Sequence, residues 1–325
     1  MEKPLSVRIF IGPFGLRAGW RLLLFLLVLI GISLPMGPLQ GLLARGIDHD
    51  LAYAIDSAVG LLTVFAATWV MARLERKPLL SFGLGAIHRG RNLGAGIIAG
   101  FAGLSLLIFI LWAAGACRFA SPALHGPAAA GWGLYWAMQF VLVGFVEEMT
   151  ARGYPQFALS QGIGFWPAAI VLSVLFGAGH LGNGGEQILG IANAMLAGLV
   201  FAFTLWWSGS LWWAIGCHMS WDWGQTFFYG VADSGTTVRH HLLSAAPAGP
   251  SWLSGGSVGP EGSVLAAAIL LLLAVIARFT LPRVRVEGLE RLRNANAGRP
   301  SGTPPEASAP SISPSMYSAG SDDTN

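Results

Sequence analysis

The segment Val146-Glu147-Glu148-Met149-Thr150-Ala151-Arg152 sets two carboxylates and a guanidinium inside a long apolar stretch. Two further fragments add histidines and an acid in similar surroundings, namely Phe176-Gly177-Ala178-Gly179-His180 and His218-Met219-Ser220-Trp221-Asp222. Ionisable side chains are costly in hydrocarbon, so their presence in such stretches marks a functional site. The three fragments therefore predict a membrane-embedded chain and the place of its chemistry.

The composition predicts the same membrane class. Of the 325 residues, 54% are hydrophobic and 11% are charged, and the mean hydropathy is +0.60. A soluble domain carries about 25% charged residues. The net charge of +3 does not indicate nucleic acid as a partner, because basic residues in a membrane protein mainly report its orientation. The expected partners are membrane lipid and a membrane-associated protein or peptide.

Apolar runs of about 20 residues, the length that crosses a hydrocarbon core of about 30 Å, predict an all-α fold. We expect a polytopic transmembrane helical bundle of about eight spans, and no internal repeat divides it. The approximate cores of the spans are 20–39, 51–72, 93–116, 133–158, 165–184, 187–207, 211–230 and 263–281.

The basic residues predict the orientation of this bundle. Of 19 Lys and Arg, only Arg45, Arg118 and Arg239 fall outside when the spans are threaded with the amino terminus inside. This bias predicts that both termini are cytoplasmic. The expected location is the bacterial cell inner membrane. Residues 1–285 then form one transmembrane domain. Residues 286–325 form a cytoplasmic tail that is largely disordered, because it is rich in Pro, Ser and Gly.

Helical spacing relates the charged side chains to one another. Glu148 and Arg152 are four residues apart with the acid first, the favourable order for an intrahelical pair. Glu147 lies about 100° around the helix, so it is free to face a cavity and act as a base. His218 and Asp222 repeat the four-residue spacing. Such a pair can orient an imidazole, share a cation or present a donor to an oxyanion, and the spacing does not choose among these.

Structural roles compete with these functional ones. Glu148 and Arg152 would also serve as an ion pair that closes a helix end, and His180 would also serve as a cap beside the turn at 182–185. The depth of the groups in the membrane raises a further question. Glu147 and His180 reach comparable depths only if the fourth helix continues to about residue 159. We therefore expect a water-filled cavity and a kink or break near Gly153 and Pro155.

In chain order, the three fragments resemble the signatures of a known family. Glu-Glu-x-x-x-Arg at 147–152, Phe-x-x-x-His at 176–180 and His-x-x-x-Asp at 218–222 are similar to those of the CAAX protease and bacteriocin-processing (CPBP, or Abi) family. Members of this family are intramembrane endopeptidases. The segment 76–84 also resembles a feature often found upstream in the family. The resemblance covers about residues 70–230.

The resemblance implies a role for each matching residue. Glu147 would be the main base, activating a water molecule together with His180, while Glu148 and Arg152 would support the site. His218 would stabilise the tetrahedral oxyanion or take part in metal binding.

Asp222 is the position at which this chain departs from the family, whose members often carry Asn there. An ionised carboxylate cannot donate a hydrogen bond to an oxyanion. Asp222 is therefore expected to orient an imidazole or to bind a metal. A divalent ion such as zinc, held among Glu147, His180, His218 and Asp222, remains open.

The function expected from these features is an intramembrane protease, CAAX prenyl protease-like and either metal- or glutamate-dependent. It would hydrolyse a peptide bond in a membrane-associated protein or peptide. A prenylated CAAX protein, a bacteriocin leader and a membrane-bound regulator all remain open as the substrate. The competing class is a proton-coupled membrane transporter in which Glu147 and His180 relay protons. A catalytically inactive immunity or scaffold protein is disfavoured by the intact set of acids and histidines.

Overall fold

A computed structural model describes residues 9–12, 15–86 and 88–284 of the chain. The cytoplasmic tail predicted at 286–325 lies outside the described residues. Two short antiparallel strand pairs accompany the helices, β1 (Ile11–Gly12) with β2 (Gly15–Leu16) and β3 (Cys117–Ala120) with β4 (Ser244–Pro247). The α-helices are α1 (Ala18–Leu43), α2 (His49–Leu74), α3 (Arg89–Ala113), α4 (Gly126–Ala151), α5 (Tyr154–Ile163), α6 (Phe165–Gly179), α7 (Ile188–Ser208), α8 (Trp212–Trp223), α9 (Ser251–Ser254) and α10 (Val264–Thr280).

The predicted helical membrane bundle is confirmed. Six segments of the described chain are long and apolar enough to cross a membrane, namely α1, α2, α3, α4 with α5, α6 with the turn that follows it, and α7. The two remaining predicted spans are shorter helices. α8 has 12 residues and continues into a π-helix, Gly224–Tyr229, and α10 has 17 residues.

Contacts between helix ends define one face of the bundle, which we call the inner face. Arg21 near the start of α1 is hydrogen-bonded to Glu75, directly after α2. Arg91 near the start of α3 donates to the backbone oxygen of Thr280, at the end of α10, over 3.2 Å. The beginning and the end of the helical region therefore lie on the same face, as an even number of crossings requires.

The opposite, outer face carries the long connection between α8 and α10. In this connection β4 pairs with β3, and Cys117 lies opposite Pro247. The hydroxyl of Ser257 donates to the carbonyl of Gly185, in the turn before α7, over 2.8 Å. Residues 231–262, which we call the outer loop, are thereby tied to the ends of the helices beneath them.

Glycines allow α3 and α8 to pack closely. A Cβ atom at Gly96 would lie 2.2 Å from the carbonyl oxygen of Trp213, and one at Gly100 would lie 2.2 Å from that of Cys217. A Cβ atom at Gly216 would lie 2.4 Å from the carbonyl oxygen of Leu93 on α3. Small residues at such crossings let helix backbones meet, which is how membrane helices associate. This packing holds the middle of α8 at the centre of the bundle.

Candidate active site

The helix that carries the carboxylates is broken just beyond them. α4 ends at Ala151, and α5 starts at Tyr154. Gly153 lies between them with φ −74° and ψ −130°, and a Cβ atom there would meet the carbonyl oxygen of Met149 at 2.4 Å. Pro155 occupies the first turn of α5, where its missing N–H has no intrahelical partner in any case. The break predicted near Gly153 and Pro155 is confirmed.

Glu148 and Arg152 form the intrahelical pair that their spacing predicts. The Nη1 of Arg152 donates to the Oε1 of Glu148 over 2.9 Å, and the two side chains are 2% and 0% exposed. The guanidinium lies 4.2 Å from the ring centroid of Phe176, in cation–π contact. Gly198 on α7 makes room for it, because a Cβ there would lie 2.7 Å from Nη2. The pair is enclosed by protein on all sides.

His218 is held by this pair. Its Nδ1 lies 2.9 Å from the Oε1 of Glu148, the same oxygen that accepts from Arg152. Its Nε2 lies 3.5 Å from a carboxylate oxygen of Glu147 and 3.5 Å from one of Asp222. The hydrogen bond that fixes the ring thus involves Glu148, whereas the sequence predicts that Asp222 orients an imidazole or binds a metal. The ring of Phe201 stacks on the imidazole.

Glu147 is the acid that faces open space. Its side chain is 34% exposed, in contrast to the fully buried Glu148. It borders a cavity of about 270 Å³ inside the bundle. The cavity wall also includes His180, His218 and Asp222. The structure therefore brings these four side chains, which come from three separate parts of the chain, to one space.

His180 follows α6 directly and begins a 3₁₀ turn. Its Nδ1 lies 2.9 Å from the carbonyl oxygen of Phe176. A carbonyl only accepts, so Nδ1 carries the proton of the neutral ring and Nε2 is left as an acceptor. This hydrogen bond also closes the end of α6, so the capping role and the cavity position occur together.

The outer loop supplies cavity residues that sequence reasoning missed. Asp233 and Glu261 both border the cavity. Burial raises the pKa of Asp233 well above its ordinary value, and the charges of Asp222 and Glu261 add to the shift. Burial also raises the pKa of Glu261. Two acids in a Gly- and Ser-rich loop gave no periodic signal by which to find them.

The four candidate metal ligands do not form a compact set. The Nδ1 atoms of His180 and His218 are both engaged in hydrogen bonds, which leaves their Nε2 atoms as the possible ligands. The Nε2 of His218 is 3.5 Å from both Glu147 and Asp222. Within the described ranges, three ligand atoms that lie within 4.8 Å of one another occur instead at the outer end of α2. As placed, the cavity side chains do not fit one ion.

The described helices form a polytopic bundle, and carboxylates and histidines border one cavity inside it. A family model described as type II CAAX prenyl endopeptidase Rce1-like matches residues 129–224. The segment runs from α4 to α8 and includes every candidate site residue. The family resemblance seen in the sequence is confirmed over this segment, which indicates a membrane protease. No curated protein and no solved structure gives a match.

Proposed function

We propose that the protein is an intramembrane endopeptidase that hydrolyses a peptide bond with a water molecule activated by Glu147. The observation that supports this proposal is the partly exposed carboxylate of Glu147 beside an imidazole that a buried ion pair holds in place. A base acts from within reach of the proton that it removes, and Glu147 borders the cavity in which a water and a peptide would meet.

The proposed chemistry uses protein groups alone. Glu147 accepts a proton from water, and the resulting hydroxide attacks the carbonyl carbon of the peptide. The Nε2 of His180 accepts a hydrogen bond from the same water and orients it. When both nitrogens of His218 are protonated, Nδ1–H is held by Glu148 and Nε2–H donates to the oxyanion. When the C–N bond of the peptide breaks, Glu147 returns the proton to the departing amine.

The finer assignments are part of the proposal. The substrate is a membrane-associated protein or peptide, and the family description favours one with a prenylated carboxyl terminus. Both ends of the chain are proposed to be cytoplasmic, in a bacterial inner membrane. A zinc ion in the cavity would require the ligand side chains to move. A proton relay through Glu147 and His180 is the alternative function, and the family match favours proteolysis.

The test is cleavage of a fluorogenic peptide, with and without a prenylated cysteine, by the full-length protein in lipid vesicles. We expect Glu147→Ala and His180→Ala each to lower turnover by about 100- to 10,000-fold, the usual contribution of general-base catalysis. Asp56→Asn, which changes an exposed acid on α2, is the matched control and should keep full activity. Near-normal turnover by Glu147→Ala, with the protein folded and inserted, would remove the mechanism.

A further inference from the structure

A second group of ionisable residues lies on the outer face, away from the proposed catalytic residues. Asp48 precedes α2 and caps it by accepting from the backbone N–H of Asp50 over 2.9 Å. His240 comes from the outer loop, 190 residues further along the chain than Asp50. One ligand atom from each of the three residues lies within 4.8 Å of the other two.

Asp50 is the reason to regard this group as more than a surface cluster. Its side chain is 1% exposed. Its Oδ2 is near three donors, the backbone N–H groups of Arg239 and His240 at 3.2 and 3.1 Å and the Nδ1 of His240 at 2.7 Å. Its Oδ1 is buried and has no hydrogen-bond partner. The Nδ1 of His49 lies 3.5 Å from Oδ1, on an exposed side chain.

An unsatisfied carboxylate oxygen in a buried position is costly, and a bound ion is one of its ordinary explanations. The surroundings hold the ligands in place. The His240 ring stacks on Trp132 with a centroid distance of 3.7 Å and an angle of 6°, and the indole N–H of Trp136 donates to the His240 carbonyl over 2.9 Å. His240 is thus half-buried and fixed.

The donor set selects the class of ion. Two carboxylates and one imidazole suit a borderline divalent ion such as Zn²⁺ or Mn²⁺ better than Ca²⁺, which prefers oxygen ligands alone. Asp48 is 34% exposed, which leaves room for an ion to enter and for water to complete its coordination. Arg239 lies 3.5 Å from Asp48, but its side chain is 75% exposed and free to turn away.

We propose that Asp48, Asp50 and His240 bind one divalent transition-metal ion, Zn²⁺ or Mn²⁺, which fastens the outer loop to the start of α2. The same loop carries Asp233 and Glu261 to the cavity wall. The ion would thus be structural, and it would fix the outer wall of the cavity without taking part in catalysis.

The experiment uses the full-length, tag-free protein in detergent, stripped with a chelator and then titrated calorimetrically with ZnCl₂ or MnCl₂. We expect one bound metal ion per protein. The unfolding temperature should rise with metal concentration, as mass action requires. Asp48→Asn keeps the helix cap, because Asn caps as well as Asp. His240→Gln removes the imidazole. Each should weaken binding at least 10- to 100-fold, the loss that even outer-shell changes cause.

Two controls make the result decisive. Asp56→Asn lies on the same helix and should bind as the wild type does. Glu147→Gln, in the cavity, should also keep the full equivalent. Binding of no metal by the wild type would overturn the proposal. Full metal binding by both Asp48→Asn and His240→Gln would also overturn it. Loss of the bound metal in Glu147→Gln would do the same, since that ion would lie in the cavity. None of these outcomes depends on peptidase activity.

Discussion

The cluster of charges at the inner face of the bundle and the cluster at the cavity are built differently. At the inner face one carboxylate, Glu75, is near two cations. Arg21 binds it through its guanidinium, and the ammonium of Lys77 lies 2.8 Å away. The hydroxyl of Tyr154 also donates to it. This cluster has no surplus of negative charge and leaves no group free for chemistry.

The cavity cluster has the opposite balance. Three carboxylates, Glu147, Glu148 and Asp222, surround His218, and only Arg152 supplies a permanent positive charge. The Oε2 of Glu148 and the Nη2 of Arg152 are buried without hydrogen-bond partners. A cluster whose carboxylates are balanced by cations stabilises a fold. A cluster with surplus negative charge is maintained where function requires it. If this difference is meaningful, changes in the inner cluster lower stability, whereas changes in the cavity cluster lower turnover.

The largest effect is expected from Arg152→Met. The change leaves Glu148 as a buried charge without a cation, which typically costs about 3–5 kcal/mol in the free energy of unfolding. It should also abolish cleavage, because the carboxylate that fixes His218 loses its second partner. Denaturant unfolding and peptide turnover on the same preparation check both results. A stable and active variant would show that the buried pair is dispensable.

Arg21→Met makes the same change in the inner cluster. Glu75 keeps its contacts with Lys77 and Tyr154, so we expect a smaller loss of about 1.5–3 kcal/mol, the range for hydrogen bonds to charged groups. Turnover per folded molecule should match that of the wild type. A large fall in turnover at full folding would contradict the structural role given to this cluster.

The helices and part of the site were predictable because they depend on local sequence. The Glu148–Arg152 pair follows from a spacing of four residues, and the helix break follows from Gly153 and Pro155. The hydrogen bond that Glu148 accepts from His218 joins residues 70 positions apart. It depends on glycine packing between helices, which no local pattern encodes.

The outer loop was the least predictable region for the same reason. Its residues lack a helical or strand period, so nothing in the sequence indicates which side chains turn toward the bundle. Asn193 on α7 holds the end of the loop at the cavity by donating to the carbonyls of Glu261 and Ser263 over 2.7 and 2.9 Å. The hydroxyl of Thr226 donates to the Oδ2 of Asp233 over 3.0 Å.

Asp222→Asn is expected to have a moderate effect. If the cavity works without a metal, the variant keeps activity within about tenfold of the wild type, since Glu148 still fixes His218. A chelator should then change the activity of both forms by the same factor. Dependence on added divalent ion in Asp222→Asn alone, with zinc bound in the wild-type cavity, would show that Asp222 is a metal ligand.

The smallest effect concerns pH. The pKa values of Asp233 and Glu261 are raised by burial, so the folded state favours their protonated forms. Their contribution to stability is present below about pH 4, the ordinary carboxyl range, and is lost as the pH rises through the raised pKa values. Asp233 faces Asp222, Glu147 and Glu261. The unfolding temperature should therefore fall less steeply between pH 4 and neutral pH in Asp233→Asn than in the wild type. An identical slope would contradict the burial of this acid.

The central claim is that equal chemical changes in the two clusters have different consequences, and Glu147→Gln beside Glu75→Gln tests it most directly. Both variants are reconstituted in the same vesicles, and turnover is divided by the folded fraction. We predict that Glu147→Gln unfolds like the wild type but loses at least about 100-fold in turnover, while Glu75→Gln loses stability and keeps its turnover. Equal loss of turnover in both, or retained turnover in Glu147→Gln, would contradict the account.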